Sequence, residues 1–216
     1  MKTVAVIPAY NEEATIDAVV EMLVTHQLIE EVIVISDGST DNTGEVARSA
    51  GAQVIEQNEN LGKGAAMQTG INTEAAKAAD IILFLDADLL GLTRKHISKL
   101  LQPIIAGQAE MALGIFTEGR MQTDFGHKIT PFLSGQRAVR RQILDNISNL
   151  TVTKFGVEMA LTKYVKEHEV KIEKVKLKDL THRMKEEKMG FWRGLAERIK
   201  MYWQVIRNIF RKNNKL

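Results

Sequence analysis

Asp86 and Asp88 close the apolar run Ile81-Ile82-Leu83-Phe84-Leu85, and two carboxylates spaced that way can do a specific kind of chemistry. A run of apolar residues starting right after Asp80 reads as a strand buried on both faces, with the acidic pair marking where its carboxyl end leaves the sheet. Strand side chains alternate, so the pattern predicts both carboxylates on one side. Such a pair is an incomplete oxygen site for a divalent cation, because Mg²⁺ takes one or two carboxylates and fills its other positions with phosphate oxygens and water. Exposed acids are common, so Asp-x-Asp alone decides little. The turns that precede it decide more.

Three strand-turn-helix units come first. Lys2 to Ile7 reads as a strand that Pro8 stops. Ala9-Tyr10-Asn11-Glu12-Glu13 then leads into an amphipathic helix with Ile16, Val19, Val20, Leu23 and Val24 on one face and Asn11 as its expected cap. Val32 to Ile35 is a second buried strand, followed by the polar turn Ser36-Asp37-Gly38-Ser39-Thr40-Asp41 and another helix. Gln53 to Glu56 is a third, followed by Asn60-Leu61-Gly62-Lys63-Gly64 and a helix expected to run to about Lys77. Strands alternating with helices predict an α/β fold with a doubly wound, mostly parallel sheet and helices on both faces. Ligands of such sheets sit at the carboxyl ends of the strands, where all these polar turns fall.

Common nucleotide fingerprints do not fit. Gly62-Lys63-Gly64 opens like a dinucleotide loop but has Met67 at the third glycine position, and no Gly-x-x-x-x-Gly-Lys-Ser/Thr occurs. Cysteine is absent, which excludes a disulfide framework and thiolate metal sites. The chain has 216 residues, enough for one α/β domain with an appendage. Met1-Lys2-Thr3 runs straight into a strand and no apolar run approaches the roughly 18 residues of a membrane span, so a cytoplasmic protein is expected, at most touching the inner face of the membrane. The net charge of +2 hides a split. From Lys163 onward there are 16 basic and 7 acidic residues, against 13 and 20 before it.

Pro8-Ala9-Tyr10-Asn11-Glu12, Ser36 to Asp41, Asn60 to Gly64 and Asp86-Ala87-Asp88, in that order and spacing, resemble the family-2 glycosyltransferases with the GT-A nucleotide-diphospho-sugar transferase fold. The resemblance covers about the first half of the chain and implies a transferase that moves a sugar from a nucleoside-diphosphate sugar, a UDP- or GDP-sugar, to an acceptor. It implies a GT-A domain over 1–189, with a nucleotide-sugar half at 1–115 and an acceptor half at 116–189, followed by a C-terminal amphipathic helix at 190–216. It further implies that Pro8, Ala9, Tyr10, Glu12, Asp37, Gly62, Lys63, Asp86 and Ala87 hold the nucleotide sugar, and that Asp88 and a histidine bind Mg²⁺ or Mn²⁺. The residue chemistry agrees: Asp37 and Glu12 can accept from a base N–H or a ribose hydroxyl, and Tyr10 can offer a flat face to a base.

In the second half, the helix Thr93 to about Ala106 and the strand Glu110 to Ile115 precede Phe116 to Pro131, a long polar stretch expected to form a loop over the site. Leu133 to Arg141 reads as leading into a helix. In related transferases the matching region faces the acceptor, which assigns Gly135, Gln136 and Arg137 there, while Arg137, Arg140 and Arg141 are candidates for an acceptor phosphate or for ordinary helix-surface arginines. Phe155-Gly156-Val157-Glu158 resembles a Gly-x-x-Glu segment near the acceptor site. Glu158 would be a general base for an acceptor hydroxyl, a role that an ionised acceptor phosphate makes unnecessary. Val170 to Leu177 reads as an edge strand. By resemblance to glycosyl-phosphoglycerate synthase-like members, a histidine past it completes the metal shell: His182 is the candidate, ahead of His96 and His127.

Trp192, Leu195, Ile199, Tyr202, Ile206 and Ile209 form a stripe in a basic tail. It can contact a membrane peripherally through 190–212, cover the domain, or pair with a second subunit as a homodimer. The acceptor is then a lipid phosphate, as in dolichyl-phosphate mannose synthase-like proteins, or a small soluble phosphorylated acid. The alternative is a nucleotide-sugar-binding module without transfer activity. Nucleic acid is not expected as a partner, because the basic residues fall into a helical stripe with no recognised nucleic-acid fold.

Overall fold

The computed structural model describes residues 1–116, 135–147 and 156–183, without the side chains of 156–159 and 162. Its main sheet has seven strands in the order β3-β2-β1-β4-β7-β6-β8. β1 (Thr3–Ala9), β2 (Glu31–Asp37), β3 (Gln53–Gln57) and β4 (Ile81–Phe84) are mutually parallel. β7 (Arg137–Arg140) runs antiparallel to both its neighbours, β4 and β6 (Met111–Phe116). β8 (Ile172–Leu177) lies parallel to β6 at the edge, as its alternating charges predict.

Alternation along β1 shows why both faces must be covered. Ala5, Ile7 and Ala9 enter the core beneath α1 (Ile16–Val24), α2 (Thr43–Ser49) and α5 (Arg94–Ile105). Val4 and Val6 enter the opposite core with residues of α3 (Lys63–Ile71), α4 (Glu74–Lys77), α6 (Arg141–Asp145) and α7 (Gly156–Glu167). A strand with apolar side chains on both faces is stable only between two helical layers.

Several expectations need correction. Pro8 does not end β1, which continues paired with β2 through Pro8–Ile35 and Ala9–Ser36. By that level β4 has ended its pairing, at Val6–Phe84. With one neighbouring strand fewer, the missing proline N–H is tolerated. The helix expected to reach Lys77 breaks after Ile71, where the Thr73 hydroxyl accepts from the Ala76 N–H and caps α4. Residues 137–140 do lead into a helix, α6, but are themselves a strand, because Ala138 and Val139 fill the slot between β4 and β6. Among the described residues no helix is long and apolar enough to cross a membrane.

Candidate functional site

The strand order reverses between β1 and β4, since the chain goes from β1 outward to β3 and then returns to β1's other side. Crevices at such a reversal are where ligands of parallel sheets bind. The two turns on the β1 side are stitched together. Asn11, at φ 56, accepts from the Thr40 N–H through its side chain at 2.8 Å, and its own N–H donates to Ser39 Oγ at 3.2 Å. Glu12 N–H donates to Thr43 Oγ1 at 2.8 Å, and the Asn42 N–H donates to Glu13 Oε2 at 3.0 Å. Asn11 is therefore a brace between turns and not the cap of α1, whose N-cap residue is Thr15. Ser39 and Thr40 are its counterparts and Thr43 serves Glu12 in the same way, none with a role of its own in the sequence; the signal of Ser39 and Thr43 is only that hydroxyl residues in turns seek backbone partners. Pro8 and Ala9 are buried beneath this brace, and Tyr10 stands 47% exposed beside it.

Asp37 is 3% exposed and joins a third turn to the rim. One oxygen accepts from the Leu61 N–H and the other from the Gly62 N–H, both at 2.8 Å. Gly38, at φ +66, makes the approach feasible, since a Cβ there would lie 2.4 Å from the Asn60 nitrogen. A carboxylate has about four acceptor positions, so Asp37 can hold this loop and still accept from a ligand. The loop delivers Lys63, the first residue of α3, whose Nζ lies 2.6 Å from Asp86 Oδ1. Gln136 Nε2 donates to Asp86 Oδ2 at 2.8 Å.

Asp86 and Asp88 lie past the end of β4, in the turn before β5 (Leu89–Leu90), so the turn rather than strand alternation brings them together. The compact unit Met1–Thr181 ends inside β9 (Thr181–His182), a two-residue strand paired with β5, and His182 is the last residue of that strand. Asp86, Asp88 and His182 each present a ligand atom, all within 4.8 Å of one another. Two carboxylates and an imidazole form a donor set suited to a divalent ion that accepts oxygen and nitrogen ligands. The three groups therefore fit the cation that their types imply.

With this rim in view, residues 4–165 match the family model for glycosyl transferase family 2. The chain belongs to that family. It is 35% identical over 112 residues to glucosyl-3-phosphoglycerate synthase of Mycobacterium tuberculosis, a match covering 48% of this chain and 34% of that protein. The chain thus spans about a third of that curated relative's length. A crystal structure of the M. tuberculosis enzyme with Mn²⁺, UDP-glucose and phosphoglyceric acid superposes with TM-score 0.70 and 27% identity, covering 84% of this chain and 71% of that one. Another, with Mg²⁺ and UDP, gives TM-score 0.69 at 27% identity over 84% and 71%. The fold is the GT-A fold.

Other residues of this family-2 chain fall in different places. His96 is not a ligand: its Nδ1 accepts from the Thr93 N–H while the Thr93 hydroxyl accepts from the His96 N–H, a capping box at the start of α5. Burial lowers its pKa. Arg140 and Arg141 lie at the far end of the sheet from Asp86, because β7 is antiparallel and Arg140 pairs with Ile81. They donate to the Ile104 and Ile71 carbonyls. Gln136 and Arg137 are 0% and 1% exposed, so Arg137 is a buried strand residue. Glu158 lies in α7, its side chain outside the description. His127, the expected loop beyond Phe116 and the stripe from Trp192 also lie outside the described residues.

Proposed function

We propose that the chain transfers a glycosyl group from a UDP-sugar to a small phosphorylated acid, using a divalent cation held by Asp88 and His182 beside Asp86. The observation that carries this is the grouping of the three side chains within 4.8 Å at the carboxyl end of β4, where parallel sheets bind ligands. The M. tuberculosis complexes with UDP-glucose, Mn²⁺ or Mg²⁺ and phosphoglyceric acid support the choice of base, ion and acceptor class.

In this reading Tyr10, Glu12 and Asp37 hold base and ribose, Lys63 balances diphosphate charge, and Asp86 orients the ribose. When bound, the cation supplies Lewis-acid neutralisation of negative charge on the departing diphosphate. The bond from the sugar's anomeric carbon to the diphosphate breaks and one to an acceptor oxygen forms. A phosphate oxygen brings no proton, whereas a hydroxyl must lose one to a base, for which Glu158 is the candidate.

Calorimetry with UDP-, GDP- and dTDP-sugars, each with Mn²⁺ or Mg²⁺, tests the donor. Product analysis with a three-carbon phosphorylated acid and with polyprenyl phosphate in vesicles tests the acceptor. Metal-dependent binding of a UDP-sugar and transfer to the soluble acid are expected. Transfer to the lipid phosphate alone would overturn the acceptor class. Donor binding with neither transfer nor donor hydrolysis would leave a nucleotide-sugar-binding module instead.

A further inference from the structure

Asp86 is held from two sides by groups of different character. Lys63 keeps 32% of its side chain exposed on a flexible stem, so its ammonium can turn toward a ligand phosphate. Gln136 is fully buried and cannot follow. Its carbonyl accepts from the Gly114 N–H at 2.8 Å, which ties its backbone to β6, and its amide reaches Asp86 Oδ2. Next to it, a Cβ on Gly135 would lie 2.3 Å and 2.4 Å from the two Asp86 oxygens. Those distances are too short for any side chain, so the carboxylate can occupy its place only because residue 135 is glycine.

We propose that Gln136 is a positioning residue for the donor: it fixes the rotation of the Asp86 carboxylate, with Gly135 clearing the space, so that Oδ1 faces the Lys63 loop and the incoming nucleotide. The inference rests on the donor reading above and assigns Gln136 to donor affinity instead of acceptor contact. An amide is the right group for the place. It donates without adding charge, whereas an acid would repel Asp86 and an apolar side chain would leave a partly buried carboxylate oxygen without this donor.

The test is calorimetry of UDP with Mn²⁺ on the full chain, with donor KM and kcat measured separately. Gln136→Met keeps length and apolar volume while removing the donor. It should weaken UDP–Mn²⁺ binding and raise donor KM by roughly tenfold or more, as losing the partner that orients a ligating group does. kcat should change far less. A structural role would lower the melting temperature and the active fraction together, leaving the affinity of the folded fraction unchanged. In an Asp86→Ala background, Gln136→Met should weaken binding no further, because its target is gone. A full additional loss there, or wild-type affinity in the single variant, overturns the inference. Should Gln136→Met fail to fold, Gly135→Ala replaces it, with the same loss of UDP–Mn²⁺ affinity expected and an unchanged affinity overturning the idea. Absence of UDP–Mn²⁺ binding by the wild-type chain would instead remove the donor reading itself.

Discussion

β4 carries acids just beyond both ends, and they are used differently. At the amino end, Asp80 Oδ2 accepts from the Lys2 backbone N–H at 2.7 Å, and the Asp80 carbonyl accepts from the Arg141 N–H at 2.9 Å. Nearby, Arg140 and Arg141 donate to main-chain carbonyls. These charges meet permanent backbone groups, so the chain meets its own needs. At the carboxyl end, Asp86 faces a flexible ammonium, and Asp86, Asp88 and His182 face one another. Carboxylates gathered this closely repel unless a cation lies among them. Strand ends thus differ by what their acids face, not by how acidic they are.

The comparison breaks most decisively at Asp88. Asp88→Ala should lower transfer by roughly a hundredfold or more, the scale on which removing a group that stabilises transition-state charge acts. The melting temperature should stay near wild type. Unchanged turnover with saturating metal would show that the carboxyl-end acids are as structural as Asp80.

Asp37 is the next sharpest test, because it belongs to both descriptions at once. Asp37→Ala removes a buried carboxylate and leaves the partly buried Leu61 and Gly62 N–H groups without this acceptor. A loss of roughly 3 kcal/mol in urea unfolding is expected, together with weaker donor binding. Weaker donor binding at full stability would make Asp37 a ligand residue only.

What could be read in the residue order follows the same division. Apolar runs such as Ile81 to Leu85 and the paired acids behind them predicted the parallel core and its rim, since burial and alternation are local properties. The neighbours of Asp86 were not legible. Gln136 lies fifty positions away, immediately before a strand whose residues read only as the approach to a helix, and only the packing of β7 between β4 and β6 places it there. Asn11 looked like a helix cap because its partners, Ser39 and Thr40, belong to another turn. His182 was singled out only through resemblance, because the pairing of β9 with β5 that sets its position involves two strands of two residues each, too short for any periodic signal.

At the amino end, Asp80→Ala should cost less than about 1 kcal/mol, because its bond to the Lys2 N–H is exposed and water can replace the acceptor. Turnover should match wild type. A loss of transfer comparable to that of Asp88→Ala would erase the contrast between the two ends.

The smallest expected effect concerns His96, a structural residue that sits on the turn leading out of the functional end. Its Nδ1 must stay unprotonated to accept from the Thr93 N–H, and the ring also hydrogen-bonds the Lys178 backbone, in the turn that precedes β9. Burial is the main cause that lowers its pKa, and Lys99 and Lys95 act in the same direction, whereas the Lys178 bond and Asp179 oppose it. With a folded pKa below the unfolded value, the unfolded chain takes up the proton first. The His96 contribution to stability is therefore complete above the ordinary histidine range and declines as pH falls from there through the folded pKa. Burial lowers the pKa of His26 as well, so the wild-type melting temperature should drop on acidification through both residues. His96→Ala should melt lower than wild type at neutral pH yet lose less on acidification. An equal acid slope in the two proteins would mean that the capping box holds regardless of the charge on His96.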